Sequence, residues 1–365
     1  MMRFRLASAA LLTLFALPVC AQTAAQLDKI KLPEGFTISL FAEVPEARSM
    51  AVVPELNAVF VGSRRGDKVH VAVDANRDGR AEEVKPILSE LKSPNGIAWK
   101  DGYLYVGEQH RVVRFAVPNL EALASAKPEI VLSGLPDKGH HGWRYIGFDP
   151  NGRLTVTVGS PCNICAPSGI EGTIVRVENA KPVVIAKGIR NSVGIDWHPR
   201  TGKMYFTDNG ADAMGDDSPP DELNMLVTEG QDFGFPAYGG GTDKTREFGA
   251  KASAAMVPPV VRFGAHVAAL GVHFYRGTQF PAAYRSDAFV AQHGSWNRSV
   301  PDGYRIMRIR MNPSGEVQGV EPFAEGFLQD RRAWGRPVDV KELPDGSLLV
   351  SDDAGGRIYR IAYGK

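Results

Sequence analysis

The sequence predicts an all-β fold, a six-bladed β-propeller, on three observations. A turn rich in Gly, Asn or Asp, an alternating apolar run and a polar Gly/Asp cluster recur together six times in the chain. Their spacing is that of a propeller blade, a unit of short strands repeating every ~40–50 residues. Period-2 alternation, the signature of strand, is frequent, while sustained apolar runs at helical spacing are scarce.

The first 21 residues stand outside the repeats. Arg3 and Arg5 precede the short apolar run "LASAALLTLFALPV", and "VCA" places Val19 and Ala21 ahead of a cleavage point before Gln22. Residues 1–21 are therefore expected to be a signal peptide, and residues 22–365 a single exported domain in the periplasm. Val19 stands where lipid attachment at Cys20 would want a small residue, which argues against a lipoprotein. Cleavage removes two of the 42 basic side chains and none of the 41 acidic ones, taking the net charge from +1 to −1. That balance, with no basic stripe, excludes nucleic acid as a partner. No other stretch reaches the roughly 18 apolar residues of a membrane span.

The repeats run in order as "LNAVFVGSRRG" from Leu56, "DGYLYVGEQH" from Asp101, "NGRLTVTVGS" from Asn151, "TGKMYFTDNG" from Thr201, "SDAFVAQHG" from Ser286 and "DGSLLVSDDAG" from Asp345. The long gap between the fourth and fifth implies an insertion over about residues 211–260, with "GDDSPP" and "AYGGGTDK" as its loop-like parts. "LEALASAKPE" near Leu120 is at most a short surface helix. "DANRDGRAEE" from Asp74 begins like an EF-hand loop, but Lys85 stands where the bidentate Glu belongs, so it reads as a hairpin turn with at most weak Ca2+ affinity.

A propeller gathers one set of strand ends around its channel. The clusters Arg64–Arg65, Glu108–His110, Ser160, Asp208–Gly210, Gln292–His293 and Asp352–Asp353 would then share one face, a candidate site. "KGHHGWRYIGFDPNGRLTVTVGSPCNIC" adds His140, His141 and Trp143 on a connecting segment, where function concentrates. Its Cys162 and Cys165 read as a local disulfide in an oxidising compartment. There is no second CxxC for zinc, and Ala166 stands where haem attachment needs His.

"GIRNSVGIDWHP" sets Arg190 and Asn191 just before a strand. An arginine fork beside an amide suits a planar anionic or carbonyl-bearing ligand, and also describes an ordinary surface arginine beside a turn. "TDNGADAMGDDSPPDELN" carries Asp208, Asp212, Asp216, Asp217, Asp221 and Glu222, either a Ca2+ loop or a solvated acidic one. His266, His293, Trp296, Arg298 and Arg336 complete a ring of cations, imidazoles and a flat aromatic. A nicotinamide or serine-hydrolase reading finds no GxGxxG after a strand and no GxSxG.

"HGWRYIGFDPNGRL", "GIRNSVGIDWHP", "DELN…DFGFP", "AQHGSWNRS" and "GRPVDV…LPDGSLLVSDD" together resemble the soluble quinoprotein glucose/sorbosone dehydrogenase family, its sorbosone-dehydrogenase-like branch above all. The resemblance implies a six-bladed propeller holding pyrroloquinoline quinone (PQQ) with Ca2+ in the channel mouth. It implies oxidation of an aldose or sugar aldehyde by hydride transfer to that quinone. It leaves the electron acceptor open between a quinone and a cytochrome. The family's catalytic base falls on His141 by strand register, and on His140 by alignment on Arg144; the register is the stronger anchor. Arg190 and Asn191 match the pair at the reacting carbonyl, the Gly210 and Ala211 carbonyls match Ca2+ ligands, and Asp221 fits a structural calcium. Arg298 and Arg336 are the expected grips on the cofactor carboxylates, in place of a lysine with no equivalent here. The rivals are a metal-dependent lactonase on a similar propeller, hinted at by "SPNGIA" at residue 93, and a non-catalytic binding propeller.

Overall fold

The structure, a computed structural model, describes residues 26–364, so the signal-peptide expectation for residues 1–21 lies outside the described residues. Six sheets form the blades, each of four antiparallel strands, the third extended by the short parallel strand Gln231–Asp232. Their innermost strands are Met50–Val53, Gly96–Lys100, Ile146–Phe148, Ile195–Trp197, Ala269–Phe274 and Pro337–Glu342. Each packs against the next in this order, and the last returns to the first, closing a six-bladed β-propeller. The N-terminal strand Phe36–Glu43 pairs antiparallel with Arg357–Tyr363 as the outer strand of the sixth blade, so the two ends of the chain latch the ring.

Each of the six sequence repeats is the second strand of its blade: Ala58–Val61, Tyr103–Gly107, Leu154–Val158, Met204–Asp208, Ala288–Gln292 and Leu348–Asp352. These strands are buried on both faces, because six apolar layers fill the gaps between neighbouring blades. Leu154–Val158 is buried throughout, Thr155 and Thr157 included. The alternation seen in "LTVTV" thus separates two buried faces rather than core from solvent. Burying one Val or Leu in such a layer contributes about 1.5–3 kcal/mol.

The residues between the fourth and fifth repeats divide around Pro220–Leu226, the third strand of the fourth blade. One excursion precedes it. The other follows it and carries the hairpin Tyr238–Gly240 and Asp243–Lys244, before Val261–Ala265 completes the blade. The Leu120–Leu123 helix is one turn, capped by the Asn119 side chain accepting from the Ala122 N–H at 2.8 Å. "DANRDGRAEE" is the hairpin joining Val69–Val73 to Glu83–Leu88, with Val73 opposite Glu83. No helix among the described residues is long and apolar enough to cross a membrane.

Candidate functional site

Antiparallel order puts the start of every first strand and the end of every second strand on one face. A cavity of about 660 Å3 opens there on the channel axis. Residues ahead of first strands (His141, Arg190, Asn191, His266, Arg336) and after second strands (Arg64, Arg65, Asn209, Gly210, His293) line it together. Trp143 reaches the cavity from an apolar cluster of Val193, Leu270 and Val338.

His141 is buried in the cavity wall with a left-handed backbone, φ 49°. Such a conformation costs a non-glycine residue on the order of 1 kcal/mol, so the surroundings must hold it. They do so at Gly159, where a Cβ would lie 2.5 Å from the His141 Cβ, so only glycine admits this approach. The His141 Nδ1–H donates to the Ser160 carbonyl at 3.0 Å, which fixes the tautomer and leaves Nε2 as the acceptor. Burial first, then Arg190 and His140, hold its pKa well below the usual imidazole value, so the ring is neutral. His140 is exposed, its ring 4.0 Å from that of His141.

Arg190 is buried, and its guanidinium donates to Asn163 O (3.0 Å), Asn163 Oδ1 (2.7 Å), Asn209 O (3.1 Å) and Asp212 Oδ2 (2.8 Å). The Arg190 and Asn191 backbone N–H groups both donate to the Asp208 carboxylate, at 2.8 and 2.6 Å. The Asn191 side chain is left for the cavity.

The first and sixth blades build a cationic wall. Arg64 lies flat on the Trp143 indole, 3.7 Å from the ring centroid, without a hydrogen bond or carboxylate partner among the described residues. Burial and the nearby Arg48 lower its pKa to about 10, which leaves it charged at neutral pH. Arg65 is exposed at the rim, and the Arg336 guanidinium donates to the His293 and Gly294 carbonyls, at 3.0 and 2.5 Å, while its backbone N–H donates to Asp352 at 2.8 Å. Arg48 is spent on Asn95 (3.0 Å) and Asp353 (3.1 Å).

Arg298, expected on the cofactor, is absent from this wall. Its guanidinium donates to Asp216 O and Val300 O and pairs with Asp217 at 3.2 Å, pinning the loop ahead of the fourth blade's third strand. Carboxylates and carbonyls of that loop capture it first, and Arg64 stands free instead. The sequence singled out Arg64 only as part of a polar cluster; its lack of a partner is invisible without the fold.

The fourth blade supplies the acidic wall. Asp221 borders the cavity, but its oxygens accept from Gly210 N–H (2.8 Å) and Ala269 N–H (3.1 Å), a clamp between two blades. Burial raises its pKa to about 6. Ala211 is fully buried, donates to Gly239 O at 2.7 Å and does not line the cavity, whereas Gly210 does. Behind Gly210, the cross-strand partners Asp208 and Glu222 face a small space of about 10 Å3, which Arg190 also borders, room for one water-sized particle. Burial, with the nearby Asp221 adding to it, raises Asp208 to about 7, and burial together with the Asp208 charge raises Glu222 to about 8. This pair, one residue along from Asp221, has the chemistry of a cation site, and strand alternation explains why Asp221 and Glu222 point to different places. Far from the mouth, Asp74, Asp78 and Glu82 bring carboxylate oxygens within 4.8 Å of one another. Cys162 and Cys165 form a disulfide beside the cavity.

A family profile described as Glucose / Sorbosone dehydrogenase matches residues 169–360. An uncharacterised protein of Borreliella burgdorferi is 35% identical over 92% of this chain and 91% of its own length. A pyrroloquinoline quinone-dependent pyranose dehydrogenase of Coprinopsis cinerea is 30% identical, over 29% of this chain and 16% of the relative. The holo form of a pyranose dehydrogenase PQQ domain from Coprinopsis cinerea superposes with a TM-score of 0.75 at 18% identity, over 91% of this chain and 97% of that one, a likeness of fold. The profile match and the full-length relative, on a propeller with this polar mouth, place the chain in the glucose/sorbosone dehydrogenase family.

Proposed function

We propose that this protein is a periplasmic dehydrogenase of aldoses or sugar aldehydes that works with PQQ and Ca2+. The observation that carries the reading is the charge of the cavity. Three of its arginines, Arg64, Arg65 and Arg336, have no carboxylate partner among the described residues, and they stand near a neutral imidazole. PQQ brings three carboxylates, the charge such a wall leaves unanswered. The apolar patch of Trp143 and Leu270 suits the face of a flat ring system.

PQQ, when bound, supplies an ortho-quinone that accepts hydride from the sugar. The chain's own groups do the rest. His141 takes the sugar hydroxyl proton on Nε2, while its Nδ1–H stays on Ser160. Arg190 and Asn191 offer N–H donors at the same end of the cavity, where they orient a carbonyl. The Gly210 carbonyl would be a ligand for Ca2+ at the mouth, and the Asp208–Glu222 pair, which brings two carboxylates to one small space where Asp221 brings one, would hold a structural Ca2+.

A lactonase would gather side-chain carboxylates and amides on one metal. Asn95 of "SPNGIA" instead accepts from Arg48 and donates to Arg144 O at 2.8 Å, fully buried. The test mixes purified apoprotein with PQQ and Ca2+, then offers a panel of sugars with a dye acceptor. Dye reduction that needs both additions is expected; activity undiminished by stripping both ends the reading.

A further inference from the structure

One short loop holds both polar groups of the proposed chemistry. Ser160 accepts the His141 Nδ1–H on its carbonyl, donates its own N–H to Arg190 O at 2.8 Å, and donates its hydroxyl to Cys162 O at 2.7 Å. Three residues on, Asn163 sits inside the ring closed by Cys162–Cys165. Its backbone carbonyl takes the Arg190 Nε–H and its Oδ1 takes an Nη2–H. The same Oδ1 accepts Asp212 N–H at 2.8 Å, and its Nδ2 donates to Asp212 O at 3.0 Å. Asp212 in turn pairs with Arg190. Four of the five guanidinium N–H bonds are thus directed at protein, and one Nη1–H is left over.

We propose that Asn163 is a positioning residue, which the disulfide-closed loop holds so that the one remaining Arg190 N–H points at the reacting group. The role rests on the reading of Arg190 given above. An arginine side chain has several rotatable bonds; a bidentate hold from one asparagine removes that freedom before substrate arrives. The disulfide keeps Asn163 itself from swinging out with the exposed stretch that follows.

Asn163→Ala is expected to lower kcat by about 10²-fold, the scale of a misplacement of ~1 Å, with the sugar KM little changed. It should also weaken PQQ binding to the apoprotein, read by titration. The decisive measurement is a double-mutant cycle: Asn163→Ala placed on Arg190→Lys should cost almost nothing further, because its effect passes through Arg190. Cys162→Ser/Cys165→Ser should fall in the same direction but less. A cofactor-free readout accompanies these: the Arg190 15N–H signal of the apoprotein should exchange slowly with water, and fast in Asn163→Ala. Wild-type kcat in Asn163→Ala, costs that multiply in the cycle, or unchanged exchange would each overturn the proposal. If wild type binds no PQQ and oxidises no sugar while the exchange difference holds, the functional reading fails and the positioning of Arg190 stands.

Discussion

The two walls of the cavity handle charge in opposite ways. On the first and sixth blades, the Arg64 and Arg336 guanidinium groups lie against an indole and backbone carbonyls, with no carboxylate paired to either among the described residues. On the fourth blade, Asp208, Asp221 and Glu222 are buried among backbone N–H groups with their pKa values raised toward or past neutrality. One wall waits for an anion and the other for a cation. Burying a charge without its partner costs several kcal/mol per ion, so a fold keeps such groups where a ligand completes them. His141 lies between the walls, kept neutral by burial first and then by Arg190 and His140.

The largest expected effect is at that midpoint. His141→Ala should lose about 10²–10⁴-fold in kcat and keep its PQQ binding, since the arginine wall is untouched. His140→Ala, with its ring exposed, should lose far less; a dead His140→Ala would move the base by one residue. The His141 pKa is lowered, so protonation removes the base only at a pH below the ordinary value of 6.5. The pH–rate profile should therefore be flat through neutrality and fall only on the acid side of that value; an acid limb above it would contradict this environment.

Next is the cationic wall. Arg64→Ala should weaken PQQ binding by about 10- to 100-fold, the worth of a charge-assisted hydrogen bond of roughly 1.5–3 kcal/mol. Arg298→Ala should not weaken it comparably, because that guanidinium is committed to Asp216 and Asp217. Equal losses in a binding titration would erase the distinction between the two arginines.

The smallest effect belongs to the acidic wall and reads out as stability. Asp208 and Glu222 hold their protons more tightly folded than unfolded, so without Ca2+ the folded state binds more protons. Stability must then fall as pH rises from about 4, the unfolded carboxylate value, to about 8. In metal-free protein the melting temperature should drop by several degrees between pH 5 and pH 8, and Ca2+ should restore more at pH 8. Glu222→Gln should raise the metal-free value at pH 8 and abolish the Ca2+ response. The Asn224 amide can turn over to meet the new Nε2–H, since its buried Oδ1 now lacks a partner. A metal-free melting temperature independent of pH would show that this pair is not buried as described.

The number of blades was legible in the sequence because a blade is local. A turn, a second strand and the polar residues after it lie within about ten residues, and each repeat such as "DGYLYVGEQH" carries the whole signal. The positions of His141, Arg190, Asn191 and Arg336 at the mouth followed from their place just ahead of a first strand. The roles proposed for them came from the family resemblance. What the sequence did not carry was pairing. Arg64 and Arg298 are both arginines in polar loops, and Asp221 and Glu222 are adjacent acids. One arginine meets a carboxylate and a carbonyl from a loop about 80 residues away and the other meets an indole from the third blade. One acid clamps two backbone N–H groups and the other faces Asp208 across the ladder. Local sequence sets which charges exist, but whether each is neutralised depends on neighbours brought together only when six blades close into a ring. Coulomb energy at a few ångströms responds to that distance and to burial, and separation along the chain determines neither.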